Sequence, residues 1–471
     1  MRDIDKIYID GQFVTPRATE TADLHNPSTE EKIGTARLGS IEDAREAVAA
    51  AKRAFPAFSR TTKGERIDML KRLNAAVAAR VSDLMEAMAL EYGAPQTFTR
   101  FAIPHAASSF LTMAKVLEDY DFERQMGCAR VVMRPSGVAA AITPWNSNIG
   151  FITSKLATAI AAGSTIVIKP SEMSAMQTQI LTECLHEAGL PKGVFNIVNG
   201  LGNVVGAELS RHPDIAKVTF TGSTAVGREI LRGASDTFKR VTLELGGKGP
   251  NIILDDADLD VAIPAVLRMG FINSGQSCIA GTRVLVPNRR LDEVLARLKQ
   301  ETERFKVGAP DDPDAMIGPM VSQKQYDRVQ SYIGLGTREG ASLLTGGLGR
   351  PTGLDRGWFA KPTIFTGVNN QMRIAREEIF GPVLSVIGYR DDDEAVSIAN
   401  DTSYGLQSYL HGSDASRMQA LADRLDSGRV VINGAPHEPL APFGGFKQSG
   451  IGREYGVFGL EAFLEPKAII A

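Results

Sequence analysis

Residues 271–278 read FINSGQSC and end in Cys278, one of three cysteines in a chain of 471 residues. A thiolate is a potent nucleophile, and the small, polar neighbours of Cys278 are atypical of a core segment. The β-type run TRVLV follows soon after, so the cysteine lies near a connection, where functional residues concentrate. A free cysteine is more often a small buried hydrophobic residue, but this context favours a nucleophilic thiol.

Glu244 is the second candidate for chemistry. It lies in LELGGKGP, among apolar residues and glycines at the end of a predicted strand. A carboxyl group that is buried in such a place has a raised pKa and can act as a general base. The alternative is an acid paired with a nearby lysine or arginine.

The sequence gives little support for catalysis by a histidine or for a metal site. No CxxC and no Cys/His cluster occurs, so neither a disulfide framework nor a metal site is expected. No cysteine–histidine signature is present either, which makes a papain-like protease a poor fit. The six histidines stand in ordinary loop or helix contexts, and most are expected at the surface: His25, His105, His186, His212, His411 and His437.

Two glycine-rich turns compete as sites for dinucleotide phosphates. In residues 220–227, FTGSTAVG, the pair Gly222 and Ser223 follows a β-branched run and precedes a helical pattern. A helix that begins there offers unpaired N–H groups to a pyrophosphate, while a serine that only caps the helix is an equal alternative. Residues 200–206, GLGNVVG, have one residue too many for the Rossmann fingerprint and favour a plain turn.

A lysine and an acid end the predicted strand STIVI, at Lys169 and Glu172. Ligands of open α/β sheets bind at the carboxyl ends of strands. This pair could hold the ribose hydroxyls of an adenosine, and the acid would repel a 2′-phosphate. The pattern therefore favours NAD, with NADP as the alternative.

The elements that must position these residues follow an α/β pattern. A chain of this length should form two or three domains. A hairpin is predicted around Asp10-Gly11, and helices from residue 41 to about residue 90. Beyond residue 130, short apolar runs alternate with helical patterns, and the alternation restarts beyond residue 251. Such alternation predicts two domains with parallel sheets and helical crossovers.

Composition narrows the partners and the compartment. The chain is 43% hydrophobic and 23% charged, with a formal net charge of −3. This balance gives no reason to expect nucleic acid or an anionic membrane. The apolar runs are too short to span a bilayer, and the first residues lack the pattern of a signal peptide. A cytoplasmic protein that acts on a small molecule is expected.

Taken together, the motifs resemble those of the aldehyde dehydrogenase superfamily, in the family's order and over nearly the whole chain. They are PWN at 144–146, IKPSE, FTGSTAVG, LELGGKGP, FINSGQSC, EEIFGP at 377–382 and PFGGFKQSGIGRE at 442–454. The resemblance implies a Rossmann-like cofactor domain from residues 1–116 and 136–247 and an α/β catalytic domain from 248–447. Residues 117–135 and 448–471 would form a small β oligomerisation element with the C-terminal segment, in a homodimer or homotetramer.

The resemblance also implies roles for individual residues. Cys278 matches the nucleophile, Glu244 the general base, and Asn146 the amide that donates to an oxyanion. Glu454 matches a second acid that is sometimes assigned to a proton relay, and Lys155 is a candidate to belong with it. The residues that match the cofactor site are Trp145, Lys169, Glu172, Gly222, Ser223, Glu378 and Phe380.

One segment departs from the family pattern. Many members follow the tryptophan–asparagine pair with an aromatic residue and a proline, where this chain has Ser147 and Asn148. On that pattern, Ser147 and Ser154 would face the substrate tunnel, with Phe443 as one aromatic wall. Small, polar side chains there predict a wide or wet pocket for a bulky or polar aldehyde or a semialdehyde.

The chemistry that these residues predict is the oxidation of an aldehyde to a carboxylic acid with NAD(P)⁺. The steps are a thiohemiacetal on Cys278, a thioester, and hydrolysis by water that Glu244 activates. Transfer of the acyl group to coenzyme A is an alternative, which the presence of Glu244 disfavours. Thioester or ester hydrolysis without redox chemistry is another, and a binding role without catalysis is disfavoured because nucleophile and base are both present.

Overall fold

A computed structural model describes residues 2–471. Short strands run through the whole described chain. In chain order they are β1 (Arg2–Ile4), β2 (Ile7–Ile9), β3 (Gln12–Val14), β4 (Thr21–His25), β5 (Lys32–Arg37), β6 (Glu123–Met126), β7 (Ala129–Pro135), β8 (Val138–Ile142), β9 (Ile166–Lys169), β10 (Phe195–Ile197), β11 (Ile215–Thr221), β12 (Arg240–Glu244), β13 (Pro250–Ile253), β14 (Arg283–Pro287), β15 (Ser342–Thr345), β16 (Thr363–Thr366), β17 (Val383–Tyr389), β18 (Gln407–His411), β19 (Arg429–Ile432), β20 (Gly450–Ile451) and β21 (Leu464–Ile470).

Helices alternate with these strands. They are α1 (Ile41–Phe58), α2 (Lys63–Ala79), α3 (Val81–Tyr92), α4 (Gln96–Asp119), α5 (Asn148–Ala162), α6 (Ala175–Glu187), α7 (Ala207–Arg211), α8 (Thr224–Ser235), α9 (Leu259–Gly270), α10 (Leu291–Thr302), α11 (Gln323–Arg338), α12 (Arg373–Arg376), α13 (Asp392–Asn400), α14 (Ala415–Ala422) and α15 (Gly456–Glu461). In the described part of the chain, none combines the length and the apolar character that crossing a bilayer requires.

The first large sheet has eight strands in the order β20-β12-β11-β8-β9-β10-β2-β3. Its five central strands, β12, β11, β8, β9 and β10, are parallel. Separate hydrophobic clusters cover its two faces. Strands buried on both faces read as continuous apolar runs, and β8, VAAAI, is buried at every position.

The second large sheet has seven strands in the order β15-β16-β17-β14-β13-β18-β19. All neighbours are parallel except the pair of β15 and β16. Hydrophobic clusters again lie on both faces. Parallel sheets require crossover connections, which the intervening helices supply.

Two three-stranded sheets complete the fold. In one, β21 pairs with β7 over seven residues, and β7 pairs with β6, all antiparallel. The C-terminal segment therefore contributes to two sheets, because β20 joins β12 in the first large sheet. The other small sheet has the order β1-β5-β4. The predicted hairpin at Asp10-Gly11 is present as β2 and β3, with both turn residues at positive φ.

Helical structure extends beyond the predicted limit near residue 90, because α4 runs from Gln96 to Asp119. Its sequence contains Pro104, which removes one intrahelical hydrogen-bond donor and weakens the local signal. Tertiary packing compensates for that loss, since Ile103, Phe110 and Leu117 of α4 are fully buried in the core.

Candidate active site

A cavity with a volume of about 540 Å³ lies at the carboxyl ends of β11 and β12, facing α11. This volume is within the range of small-molecule and cofactor sites, roughly 300–1,000 Å³. The lining includes eight residues that the sequence had singled out: Trp145, Asn146, Gly222, Ser223, Glu244, Cys278, Glu378 and Phe380.

The loop before the candidate nucleophile has a strained backbone. Asn273, Ser274 and Gly275 all have positive φ, at 53°, 59° and 73°. A Cβ on Gly275 would lie 2.2 Å from the backbone of Gly381, so no other residue fits there. The Ser274 hydroxyl oxygen accepts a hydrogen bond from the Gly318 N–H at 2.8 Å. Such strain persists only where surrounding contacts fix the conformation.

Gln276 connects this loop to the rest of the site. Its side-chain oxygen accepts from the Val321 N–H at 2.9 Å, and its amide nitrogen donates to Tyr92 and to the Pro319 carbonyl, both at 3.3 Å. Its backbone carbonyl accepts from the Asn146 side-chain amide at 3.0 Å. Asn146 is thereby fixed two residues from the thiol, and its amide carries a second N–H donor.

The Cys278 thiol is half-buried at the cavity wall. Loss of hydration, followed by the negative charges of Glu378 and Glu244, raises its pKa to about 12. Hydrogen bonds from the backbone N–H groups of Cys278 and Ile279 oppose this shift. The sulfur is therefore protonated at neutral pH until a base or a positive charge approaches it.

Glu244 ends β12 as a buried residue whose two carboxyl oxygens accept no hydrogen bond. Burial raises its pKa well above the usual range, and the charge of Glu454 adds to the shift, while Lys155 and Arg453 oppose it. Among residues 2–471, no lysine or arginine forms an ion pair with Glu244. The alternative of an acid neutralised by a basic partner is thus wrong, and the carboxyl group is free to bind water.

Two glycines after Glu244 allow the two halves of the site to meet. A Cβ on Gly247 would lie 2.2 Å from the Cys278 carbonyl oxygen, and one on Gly246 would lie 2.5 Å from Glu378 Oε2. The Gly247 N–H donates to Glu378 Oε1 at 2.9 Å. Burial raises the pKa of Glu378 to about 7. Side chains at either position would separate the thiol from the acid.

The remaining cavity wall can receive a flat ring and a phosphate. Phe380 has a φ of 63°, and its ring meets Trp145 edge-on at 5.4 Å between centroids. On another side, Gly222 precedes α8, and the Ser223 side chain caps that helix by accepting from the Val226 N–H at 3.3 Å. The serine therefore caps the helix and also lines the cavity. The two predictions for this turn, a helix cap and a phosphate site, are thus compatible.

Lys169 and Glu172 lie outside the lining of this cavity. They form an ion pair with 3.1 Å between Lys169 Nζ and Glu172 Oε2, at the end of β9. This strand end adjoins β8, where Ile142 pairs with Lys169, two residues before the cavity residue Pro144. The competing glycine turn at 200–206 forms a short π-helix and does not line the cavity.

Lys155 and Glu454 are in direct contact through their charged groups, as a buried ion pair. The Thr219 hydroxyl bridges them, accepting from Lys155 Nζ at 3.1 Å and donating to Glu454 Oε1 at 2.9 Å. The backbone of Glu454 pairs with that of Phe443 through two hydrogen bonds of 2.7 and 2.8 Å. The structure thus joins three predicted residues that are far apart in sequence.

Ser147 and Ser154 do not line the large cavity. Ser147 is half-buried and immediately precedes α5 without capping it by a side-chain hydrogen bond. Ser154 lies in α5, and its hydroxyl donates to the Phe151 carbonyl at 3.3 Å. It lines a second, smaller cavity of about 30 Å³.

Several residues at the two cavities were missed at the level of sequence. Gln325 and Arg328 of α11 line the large cavity, and His105 and His437 line the small one. The polar run QKQYDR carries no family motif that would have singled out the first two. The histidines are 332 positions apart, so only the fold could pair them.

Comparisons with known proteins agree with this geometry. The family model described as "Aldehyde dehydrogenase family" matches residues 13–469. The 3-succinoylsemialdehyde-pyridine dehydrogenase of a Pseudomonas species is 48% identical over 472 residues, covering 100% of this chain and 99% of that protein. A putative aldehyde dehydrogenase of Staphylococcus aureus is 46% identical over 470 residues, again with 100% and 99% coverage.

Solved structures give the same result. A mutant of aldehyde dehydrogenase C from Pseudomonas syringae, in complex with NAD⁺ and octanal, has a TM-score of 0.98 at 44% identity and covers 99% of this chain and 96% of its own. Aldehyde dehydrogenase from Mycobacterium tuberculosis, in complex with NAD⁺, has a TM-score of 0.96 at 38% identity, with 100% and 98% coverage. The predicted α/β fold class is confirmed, and the chain belongs to the aldehyde dehydrogenase family.

Proposed function

We propose that Cys278, Glu244 and Asn146 carry out the oxidation of an aldehyde to a free carboxylic acid. One observation carries the proposal: the thiol, the unpaired carboxyl group and the amide line the same cavity as Glu378 and the start of α8. A nucleophile, a base and an oxyanion donor around one space are the groups that acyl chemistry requires.

We propose that the cavity receives the nicotinamide end and the pyrophosphate of a dinucleotide, and that this dinucleotide is NAD⁺ rather than NADP⁺. The start of α8 would hold the pyrophosphate through Ser223 and backbone N–H groups. Glu378 Oε1 accepts from the Gly247 N–H, and Oε2, which accepts no hydrogen bond from residues 2–471, would accept from a ribose hydroxyl. Phe380 and Trp145 would border the ring. The ion pair at the end of β9 would hold the adenosine ribose, as predicted, and its acid disfavours a 2′-phosphate. When bound, the cofactor supplies the hydride acceptor and a positive charge near the thiol.

In the first half of the reaction, the Cys278 sulfur adds to the aldehyde carbon and forms a tetrahedral thiohemiacetal. The Asn146 amide and a backbone N–H at Cys278 would hold its oxyanion. Losing one such donor typically costs about 3–4 kcal/mol of barrier. The raised pKa of the thiol means that its proton must leave for a base as the C–S bond forms. Conversion of the thiohemiacetal to a thioester then requires its carbon to lose a hydride and its oxygen to stay deprotonated, and the bound cofactor would be the hydride acceptor.

In the second half, Glu244 would take a proton from water, and the resulting hydroxide attacks the thioester. The carboxyl oxygens have no protein partner, so both are available to a water molecule. The buried pair of Lys155 and Glu454 would carry the proton onward. This step releases a free acid and regenerates the Cys278 thiol.

We also propose that the protein assembles as a homodimer or homotetramer through the sheet β21-β7-β6. The domain limits that we propose are those that the family resemblance implies. Cys128, Cys184 and Cys278 are all free thiols. Free thiols persist in reducing compartments, which supports a cytoplasmic location. The substrate we propose is a bulky or polar aldehyde or a semialdehyde, since a Pseudomonas relative bears the name of a semialdehyde dehydrogenase.

The function is tested with Cys278→Ala. We expect this variant to lose aldehyde-dependent NADH formation while its affinity for NAD⁺, measured by calorimetry, stays near that of the wild type. Cys128→Ala is the matched control, because Cys128 is exposed in the turn between β6 and β7. Turnover retained by Cys278→Ala would exclude the mechanism, and so would a wild type that hydrolyses thioesters or esters but forms no NADH from aldehydes.

A further inference from the structure

Five aromatic side chains form a continuous row beside the small cavity. Neighbouring ring centroids are 5.6, 5.1, 5.9 and 5.4 Å apart, and the contacts are stacked, edge-on, edge-on and tilted. We call these residues the ring row, in order from the outside: Phe101, His105, His437, Tyr455 and Phe443.

The row runs from the protein surface to the reacting groups. At its outer end, the Phe101 side chain is 60% exposed. At its inner end, Tyr455 directly follows Glu454, and Phe443 pairs with Glu454 through the backbone. A Cβ on Gly444, the residue after Phe443, would lie 2.7 Å from Glu244 Oε1, so the inner end of the row adjoins the proposed base. A molecule bound along the row would therefore reach toward the reacting groups.

The surface of the small cavity next to the row is mostly apolar, and the hydroxyl groups that line it offer few free donors. The hydroxyls of Thr112, Ser154 and Thr158 donate to backbone carbonyls at 3.2, 3.3 and 2.9 Å. Among residues 2–471, the His105 ring and the Tyr455 hydroxyl have no hydrogen-bond partner. These two groups line the cavity with unused hydrogen-bonding capacity.

Arg429 fixes the inner half of the row. Its guanidinium lies over the Phe443 ring at 5.8 Å, and its Nη1 donates to His437 Nδ1 at 3.2 Å. An arginine can only donate, so Nδ1 of His437 is the acceptor, and Nε2 carries the proton. The imidazole is therefore held as a neutral ring with one N–H donor, at Nε2.

We propose that the ring row binds an aryl or heteroaryl end of the substrate, and that His105 and His437 determine this specificity. The inference rests on the proposed function and names its substrate class: aldehydes whose carbonyl is joined to a flat ring by a short chain. Aromatic pairs gain energy beyond the area they bury, through edge and face contacts that a flexible alkyl chain cannot make. The free imidazole and phenol donors would bind an acceptor on the ring, such as a pyridine nitrogen or a keto oxygen.

The experiment compares phenylacetaldehyde with octanal, which has the same number of carbon and oxygen atoms. We expect the wild type to show a kcat/KM about three- to tenfold higher for phenylacetaldehyde, as ring–ring contacts imply. His105→Leu and His437→Leu should each remove most of this preference by raising KM for the aryl substrate with little change in kcat. Leu111→Ala, at an exposed position of α4 outside the row, is the control and should keep the preference.

Acetaldehyde, which is too short to reach the row, distinguishes failure of the ring-row inference from failure of the proposed function. Unchanged kcat/KM for acetaldehyde in both leucine variants shows that the reacting groups are intact. His437 is exposed, so replacing it leaves the hydrophobic core unchanged. Equal kcat/KM of the wild type for octanal and phenylacetaldehyde, or equal losses on both in the variants, would overturn the ring-row inference alone. No oxidation of any of the three aldehydes by the wild type would instead contradict the proposed function.

Discussion

The ionisation state of Glu244 determines the pH range in which it can act as the proposed general base. Its carboxyl group is buried and unpaired, and Glu454 places a second negative charge nearby. Both features favour the neutral acid, so the pKa lies above that of an exposed glutamate. Only the ionised form can take a proton from water, and its fraction grows as the pH rises through the raised pKa. We therefore expect thioester hydrolysis to accelerate from acidic toward alkaline pH.

Replacing Glu244 by glutamine tests this directly. Because the amide cannot accept a proton, we expect Glu244→Gln to lower the steady-state rate about 10²-fold or more, while the first turnover still produces a burst of NADH. The rise of kcat with pH that depends on Glu244 should also disappear. Stopped-flow NADH absorbance across a pH series measures both effects.

Glu187→Gln serves as the control for that experiment, since Glu187 is exposed on α6. Thioester formation also depends on pH, through the Cys278 thiol, but it appears in the rate of the burst and not in the steady state. A Glu244→Gln variant with an unchanged steady-state rate, or one that loses the burst together with turnover, would contradict a role confined to hydrolysis.

At the scale of elements, α11 holds the loop that carries Glu378 and Phe380. Gln325 Nε2 donates to the Phe380 carbonyl at 2.7 Å and to the Ile379 carbonyl at 3.3 Å. Arg328 donates to the Ile379 carbonyl at 3.2 Å and also to that of Glu378. Phe380 has a positive φ, a conformation that costs energy unless its surroundings fix it. The helix thus maintains the shape of the cofactor side of the cavity.

We predict that Gln325→Ala weakens NAD⁺ binding more than it slows chemistry. Losing hydrogen bonds to two partly buried carbonyls costs about 1–3 kcal/mol, which corresponds to a rise in KM for NAD⁺ of roughly five- to 150-fold if the loop relaxes. Gln323→Ala is the matched control, because Gln323 lies on the same helix but bonds only to the exposed Asp327. Equal KM values for NAD⁺ in the two variants would show that the contacts to the loop are dispensable.

The sequence predicts individual residues of the site, but it does not predict the contacts between segments that are far apart in the chain. The polar turn before Cys278 and the glycines after Glu244 carry strong local signals, because strained backbone and close approach require particular residue types. The hydrogen bond from Asn146 to Gln276 spans 130 positions, and no local pattern encodes it.

Elements show the same limit. The parallel strands were readable from their continuous apolar runs, since burial on both faces imposes them. The helix α4 was missed, because Pro104 interrupts its signal and tertiary packing overrides that cost. The pairing of His105 with His437 depends on that same helix, so missing the element concealed the ring row as well.

At the scale of the molecule, the sheet β21-β7-β6 is exposed over much of its surface within a single chain. All four residues of β6 are exposed, and Met126 and Ile470 have 64% and 74% of their surface open. A small sheet needs packing against another layer to be stable, and an open strand edge with apolar residues invites pairing. A second copy of the chain is the partner that the predicted oligomerisation element implies.

The double variant Met126→Asp with Ile470→Asp should therefore shift the protein toward a smaller species. Two carboxylates at a contact between copies would lose their hydration without gaining partners, which opposes association. Sedimentation velocity measures the mass, and circular dichroism checks that the fold is kept. Lys467→Gln is the control, because Lys467 is an exposed polar residue of the same strand and its replacement introduces no new charge. A wild type that sediments as a monomer, or a double variant with the mass of the wild type, would mean that this sheet does not mediate assembly.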